Sequence, residues 1–477
     1  MFYGRKTYLD QLKSLLEKKT ASLVTCRGRR RIGKSTLIEQ FAVRNGARLV
    51  VLDGLPPRKG MSNRIQLDNF ADQLSGYSDE PVAGVANWRQ AFLALDGVIR
   101  DDGWTVVLLD EISWMGKYDA DFAGYLKSAW DKNFKKHAHL VLVLCGSVSS
   151  WISDNILNST GFVGRCSLDL VVSELTPSEC LGFWGERADR TAISDIIDVL
   201  SVTGGVPRYL EEVKPELSAA ENVRRMCFSR GGILFNDFRQ IFNDIFGKSA
   251  AVKRKILEML ADGPKNLSEI SQRLDVDSNG HLSRSMFELV SAGFVGEDEG
   301  VNPANGLIVR EKRYRIRDNY TRFYLKFIES RTRAVRTGRA DFISLEEMKG
   351  WDSVTGLQFE TFVLNNLDSL LRHVGLNGAL VTSAAPYRNN RESRGGGCRI
   401  DLLIQTRKSV CVVEIKRRER IDDSVVEDVR EKVRRLPVKA GMSVRTALVY
   451  AGKLAPAVRE DGYFDFIVPV EDLFEGA

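Results

Sequence analysis

Three groups of residues in this chain have the types and spacing to do chemistry. The first is Gly28-Arg29-Arg30-Arg31-Ile32-Gly33-Lys34-Ser35, which fits GxxxxGKS, the Walker A phosphate-binding loop. Its glycines let the backbone turn so that successive N–H groups surround phosphate oxygens, and the following helix adds the partial positive charge of its N-terminus. Gly28, Arg31, Gly33, Lys34, Ser35 and Thr36 are the nucleotide-binding candidates, with Lys34 reaching the β- and γ-phosphates and Ser35 completing a Mg²⁺ shell. The second group is Val106-Val107-Leu108-Leu109-Asp110-Glu111, an apolar strand ending in two carboxylates. There Asp110 would hold Mg²⁺ through its water shell and Glu111 would polarise an attacking water. The third is Asp401 on one apolar run, with Glu414 and Lys416 on the next. Strand side chains alternate, so all three fall on one side of a hairpin. Two carboxylates there can chelate Mg²⁺, a lysine beside them can orient water for phosphodiester hydrolysis, and Glu360 would complete the shell from a preceding helix. A Lys416 salt bridge to one carboxylate is the competing structural explanation.

These residues need elements to position them. Ala21 to Thr25 read as a buried strand entering the first loop, and Thr36 to Ala42 as the helix leaving it, with Leu37, Ile38 and Phe41 on one face. Arg48 to Asp53 make a second strand, and residues 58 to 80 read as a loop with room for a short helix. Leu140 to Cys145 form another strand ending in Gly146-Ser147, where the hydroxyl either senses the γ-phosphate or caps the strand end. Gly164-Arg165 precedes a strand at Ser167 to Val172, and Arg165 either reaches a γ-phosphate, its own or a neighbouring subunit's, or forms a surface salt bridge. Strands alternating with helices through residue 172 imply a mostly parallel α/β sheet.

Beyond it the pattern is helical from Pro177 to about Phe246, as a lid over a nucleotide would be. Three helices within Ala250 to Val295, separated by Gly263-Pro264 and Ser278-Asn279-Gly280, lead into a wing turning at Pro303-Ala304-Asn305-Gly306. That is a winged helix-turn-helix, with His281, Ser283 and Arg284 near the start of its recognition helix, serving either DNA or protein docking. Residues 313 to 339 interleave arginines with Tyr314, Tyr320, Phe323, Tyr324 and Phe327, which suits either a phosphate track or a buried aromatic face flanked by solvated basic residues. The C-terminal region opens with a helix through Gly356 to Leu371, then strands at Ile400 to Ile404 and Val410 to Lys416, a helix from about Asp423 to Leu436, and a strand at Thr446 to Tyr450.

Composition bounds the reading. At 477 residues the chain has room for about three domains. Hydrophobic and charged fractions of 43% and 28% are those of an ordinary globular chain, and a net charge of +6 permits nucleic-acid binding without demanding it. The 7 cysteines are scattered without a CxxC pair, so reduced thiols and a cytoplasmic location are expected. No apolar run approaches the ~18 residues of a membrane span.

With these residues in view, the chain resembles the STAND-type, AAA+-like ATPases of bacteria and archaea often labelled archaeal ATPase. In that group the ATPase is followed by a winged helix and a domain similar to PD-(D/E)xK nucleases. Phe2-Tyr3-Gly4-Arg5 matches the FxGR box, Gly28 to Ser35 the GRRRxGK loop, and Gly205-Val206-Pro207 the GxP motif, while Tyr314 to Asp318 resembles the start of the C-terminal region. The resemblance implies that the box and Pro207 lie near the adenine, and it matches Arg165 to a GR pair after the sensor strand. Lys6 and Thr7 stand where acidic residues are usual, and Arg399-Ile400-Asp401 replaces Pro-Asp. The expected architecture is thus a P-loop NTPase core of the ASCE class at 1–175, a helical lid at 176–247, a winged helix at 248–317, a basic helical linker at 318–350, and a nuclease-like α/β domain at 351–477. The expected cofactors are ATP and Mg²⁺. DNA is the expected partner, with a homo-oligomer or a protein trigger beside it and no membrane. The expected function is an ATPase gating a metal-dependent DNA nuclease in genome defence or mobile-element biology. The alternative is an ATP-switched regulator whose nuclease fold is only a scaffold.

Overall fold

The computed structural model describes residues 2–82, 84–147, 149–274, 280–309, 311–338, 348–376, 381–389 and 397–475. Ser278, Asn279 and Arg339, named above, lie outside them. The chain divides into two compact units. One comprises Met1–Glu174, Gln240–Ala250 and Phe287–Gly293, the other Leu175–Arg239, Ala251–Met286 and Phe294–Ala477.

In the first unit, strands β1 (Ser22–Arg27), β2 (Arg48–Asp53), β3 (Thr105–Asp110), β4 (Leu140–Gly146) and β5 (Cys166–Val171) form one sheet in the order β2-β3-β4-β1-β5. Every neighbouring pair is parallel. The central strands are continuous apolar runs because helices cover both faces of such a sheet, and β4 is buried at every position. All five strands therefore end on one edge, and the acid pair of β3 and the serine after β4 arrive there together with the loop after β1.

The core on one face of this sheet is aromatic. Trp88 lies 4.7 to 5.7 Å, ring to ring, from Phe70, Phe92 and Phe122, and its indole N–H donates to Asn63 Oδ1 at 2.8 Å. Phe70 and Asn63 belong to the helix Asn63–Ser75, in the stretch that the sequence reads as a loop with room for a short helix. The helix is capped by Ser62 and buries Leu67, Phe70, Ala71 and Leu74, an i, i+3, i+4, i+7 face. Gln66 hides this periodicity, since it is buried as well. Its amide donates to Leu55 O at 2.8 Å and accepts from Leu55 N at 3.0 Å, so a polar residue occupies a core position fully satisfied.

The second unit carries two sheets. A small antiparallel one has the order β6-β8-β7, from Lys265–Asn266, Arg313–Ile316 and Val295–Asp298. The helices Ala250–Leu260, Leu267–Leu274 and Gly280–Ser291 precede β7 in the chain. Between β7 and β8 the chain reverses at Asn302 to Leu307, where Gly306 donates to Asn302 O at 2.8 Å. The larger sheet has the order β13-β12-β11-β10-β9. Its strands are β9 (Val381–Asn389), β10 (Cys398–Thr406), β11 (Ser409–Ile421), β12 (Ser443–Leu454) and β13 (Phe466–Pro469), with β9, β10 and β11 antiparallel and β11, β12 and β13 parallel. Tyr320, Phe323, Tyr324 and Phe327 are buried, and Tyr320 OH accepts from Phe238 N at 3.0 Å. Among the described residues no helix is long and apolar enough to cross a membrane.

Trp88→Ala removes the ring at the centre of the aromatic core and should destabilise the first unit by about 3–5 kcal/mol. Urea denaturation followed by fluorescence checks this, and an unchanged midpoint would contradict the packing described.

Candidate functional site

The loop between β1 and the helix Lys34–Arg44 is built from backbone conformations that side chains disfavour. Gly28 has φ 151°, and a Cβ there would lie 2.5 Å from Val172 O, so the backbone of β5's continuation presses directly on the loop. Gly33 and the non-glycine Arg31 both take left-handed backbone, at φ 82° and 70°. Lys34 is buried, and its ammonium donates to Gly28 O and Arg29 O at 3.1 Å each, folding the side chain back over the loop. Thr36 is exposed in the first turn of the helix.

Arg5 braces this loop from the N-terminus. It is buried and donates to Ile32 O at 2.9 Å and to Ser173 O at 2.6 Å. One guanidinium thus joins a loop carbonyl to the segment after β5, a fork geometry that a lysine would not reproduce. Tyr8 OH adds a second tie, donating to Val171 O at 3.1 Å and accepting from Ser173 N at 3.0 Å.

The strand tips complete the arrangement. Ser35 Oγ donates to Asp110 Oδ2, and Asp110 Oδ1 accepts from Glu111 N at 2.9 Å. Glu111 sits in left-handed backbone at φ 48°, which turns its carboxylate towards β4. There it accepts from Ser147 Oγ at 2.8 and 2.9 Å and from Ser147 N at 3.3 Å. Sequence reading missed Asp53, which ends β2 directly opposite Asp110 in the strand register. Its carboxyl is raised above the usual range, first by burial and then by Asp110, Glu39 and Glu111. An acid closing an apolar strand was the available signal.

Arg165 is placed elsewhere. Its guanidinium forms a two-pronged ion pair with Asp131, at 2.8 and 3.0 Å, and holds that carboxyl well below the usual range. The salt-bridge alternative therefore describes its contacts. Pro207 belongs to the second unit, where it opens the short helix Pro207–Leu210 after Gly205, whose carbonyl accepts from Leu175 N at 2.8 Å.

In the second unit, the β10–β11 register pairs Leu402 with Val413, which brings Asp401 and Glu414 together. Glu414 is fully buried between two lysines. Lys432 donates to Oε2 at 2.5 Å, and Lys416 Nζ forms an ion pair with Oε1 at 2.5 Å. Lys432, from the helix Ser424–Arg435, was not anticipated, since nothing in its spacing links it to a strand some distance before it. Asp401 Oδ2 accepts from Ile415 N at 3.0 Å. Burial and then Glu414 raise the Asp401 carboxyl, and burial and then Asp401 raise Glu360. Burial opposes the charged form of Lys416, but Glu414 and Asp401 outweigh it and raise the ammonium. Glu360 accepts from Arg399 at 3.2 and 3.3 Å. The structure thus gathers all four expected groups yet supplies each acid with a protein donor or cation. Among the described residues no three His, Cys, Asp or Glu side chains are arranged to hold a metal ion by themselves.

Residues 2–213 match the family model described as an ATPase domain predominantly from Archaea. An uncharacterized protein of Methanocaldococcus jannaschii is 23% identical over 366 residues, 76% of each chain. Among solved structures, the Walker-type ATPase of Pyrococcus abyssi aligns at 15% identity and a TM-score of 0.48, over 68% of this chain and 96% of that one. The ORC2 protein of Aeropyrum pernix, solved as ADPNP and ADP complexes, aligns at 14% identity and a TM-score of 0.44, over 71% and 95%.

Arg5→Ala strands the buried Ile32 carbonyl, worth about 1–3 kcal/mol when unsatisfied, together with the part-buried Ser173 carbonyl, and should destabilise the first unit by that order. Arg5→Lys should recover only part of the loss. Chemical denaturation of both variants checks this, and wild-type stability of Arg5→Ala would refute the bracing role.

Proposed function

We propose that the first unit, over the region matching the archaeal ATPase model, binds ATP with Mg²⁺ and hydrolyses it. The observation that carries this is the assembly of Lys34, the Ser35–Asp110 pair and the Glu111–Ser147 pair around one glycine-bent loop. The loop N–H groups and Lys34 neutralise the phosphates. A serine hydroxyl touching a carboxylate is the donor set suited to hydrated Mg²⁺, which supplies further neutralisation of charge on the phosphate oxygens. Glu111 takes the proton of the attacking water, and Ser147 holds its carboxylate in orientation.

Lys34→Ala should lose nucleotide binding. Glu111→Gln should bind ATP while hydrolysis falls by about 10²–10⁴-fold, the range for loss of a general base. Calorimetry and phosphate release measure the two effects, and turnover like wild type in both variants would sink the assignment.

For the second unit the proposed activity is metal-dependent DNA cleavage, dependent on the nucleotide state of the first, and a role in genome defence or mobile-element biology goes with it. What supports a cation at Asp401, Glu414 and Glu360 is the crowding of their charge: burial and then Glu414 raise the Asp401 carboxyl, burial and then Asp401 raise that of Glu360, and a cation would relieve both. These three would hold the metal, which would supply charge for the departing oxygen, and Lys416 would orient the water. A second reading, an ATP-switched DNA- or protein-binding regulator, is favoured by the two lysines already flanking Glu414.

Asp401→Ala and Lys416→Ala should each abolish cutting while leaving ATP hydrolysis intact. The assay uses linear and circular DNA with Mg²⁺ or Mn²⁺, with and without ATP. No metal binding and no cutting by wild type under any of these conditions would hand the case to the regulator.

A further inference from the structure

A cavity of about 220 Å³ lies within the second unit, walled by the β7–β8 hairpin on one side and β9, β10 and the helix Trp351–Asn365 on the other. Six cations and four carboxylates line it. Three of the arginines already have acids: Arg313 meets Glu269, Arg315 meets Asp298 and Arg399 meets Glu360.

Of the other three cations, Arg322 and Lys265 are less exposed than Arg388. Arg322 is 1% exposed, and among the described residues its guanidinium bonds neutral acceptors: Leu357 O, Gln358 Oε1, Thr361 Oγ1 and Ile316 O. Among the described residues its Nε has no hydrogen-bond partner. Burial, then Arg315, pulls this guanidinium down to about 10, an unusual position for a group that is ordinarily always charged. Lys265 is the second. Among the described residues no carboxylate forms an ion pair with it, and burial, followed by Arg273, lowers its ammonium. Acids act on both groups from nearby, Glu360 and Asp318 on Arg322 and Glu269 and Asp262 on Lys265, but burial outweighs them at each, so an arriving anion is favoured between the buried guanidinium and the half-buried ammonium.

The same cavity is lined by Asp401 and Glu360. An anion seated on Arg322 and Lys265 is therefore presented beside the acids of the proposed hydrolytic site. The volume corresponds to several water molecules at ~30 Å³ each, enough for a phosphate and its sugar but far short of a duplex.

We propose that this cavity seats one nucleotide unit of a single nucleic-acid strand by its backbone phosphate, held by Lys265, Arg322 and Arg399. Strands β6 and β8, which carry Lys265, Arg313 and Arg315, then act as part of the strand-binding surface for the C-terminal sheet. The inference deepens the hydrolytic reading of Asp401, Glu414 and Lys416 and rests on it for the identity of the strand.

The test uses the full chain in EDTA, so that binding is read without cleavage, with a fluorescein-labelled oligothymidylate followed by anisotropy. Lys265→Gln combined with Arg399→Gln should weaken binding about tenfold and make the slope of log K against log salt shallower by about 1.4, two contacts at 0.7 each for single strands. Both side chains are partly exposed, and an unchanged thermal melt verifies the fold. Arg388→Gln, on the cavity rim, provides a second variant with the same direction of effect. ATP hydrolysis should be unchanged in all of them. Neutralising the exposed Arg333 and Arg336 should cost less than the cavity pair. Wild-type affinity and salt slope in the cavity variants would overturn the proposal. Equal losses from Arg333 and Arg336 would also overturn it, since they mark a diffuse basic surface. Displacement by inorganic phosphate at matched phosphate concentration would overturn it in favour of a small-anion site. Strand binding that persists in wild type while cutting is absent in Mg²⁺ would remove the hydrolytic reading and leave the cavity assignment standing.

Discussion

The hydrogen bond from Ser35 to Asp110 is the contact on which the first unit's chemistry depends. Ser35 lies on the helix that follows β1, and Asp110 ends β3, with β4 inserted between these two strands. The bond therefore spans the sheet edge, and it exists only because all five strands run parallel and end together. Reversing or shifting β3 by one residue would turn its acid into the apolar layer, since strand side chains alternate. Around this contact the backbone adopts left-handed geometry at Arg31 and Glu111, positions where ordinary residues are strained. Strain of that kind persists only where surrounding bonds impose it, and the Ser147 and Asp110 contacts do so at Glu111.

A related constraint governs the second unit with a different result. Burying Glu414 completely requires compensation, and two lysines provide it from different elements, one on the same strand and one on a helix. An acid so placed is stabilised without a metal, each oxygen facing its own ammonium. Asp401 and Glu360 are held by a backbone N–H and by Arg399, both exchangeable contacts at the margin of a cation-rich cavity. The arrangement is a set of charges balanced locally rather than pairwise, in which moving one ion changes the protonation of its neighbours.

What could be read in the amino-acid order alone was whatever depends on local geometry. The glycine spacing of residues 28 to 33 determines a tight turn because only glycine tolerates the pressure of Val172 O at Gly28. The apolar runs at β1, β3, β4, β10 and β11 determine buried strands, and alternation places Glu414 and Lys416 on one face. The helix Asn63–Ser75 was obscured because its buried Gln66 looks like a solvent residue until the Leu55 backbone is seen to meet both ends of its amide. Long-range pairings were beyond the sequence for a similar reason. Arg5 on Ile32 and Ser173, Arg165 on Asp131, Lys432 on Glu414 and Arg322 on Gln358 and Thr361 all depend on which flexible side chain finds which distant partner. Spacing along the chain carries no record of that choice. It is made only when the folded backbone removes water from a charge and leaves it one neighbour within reach.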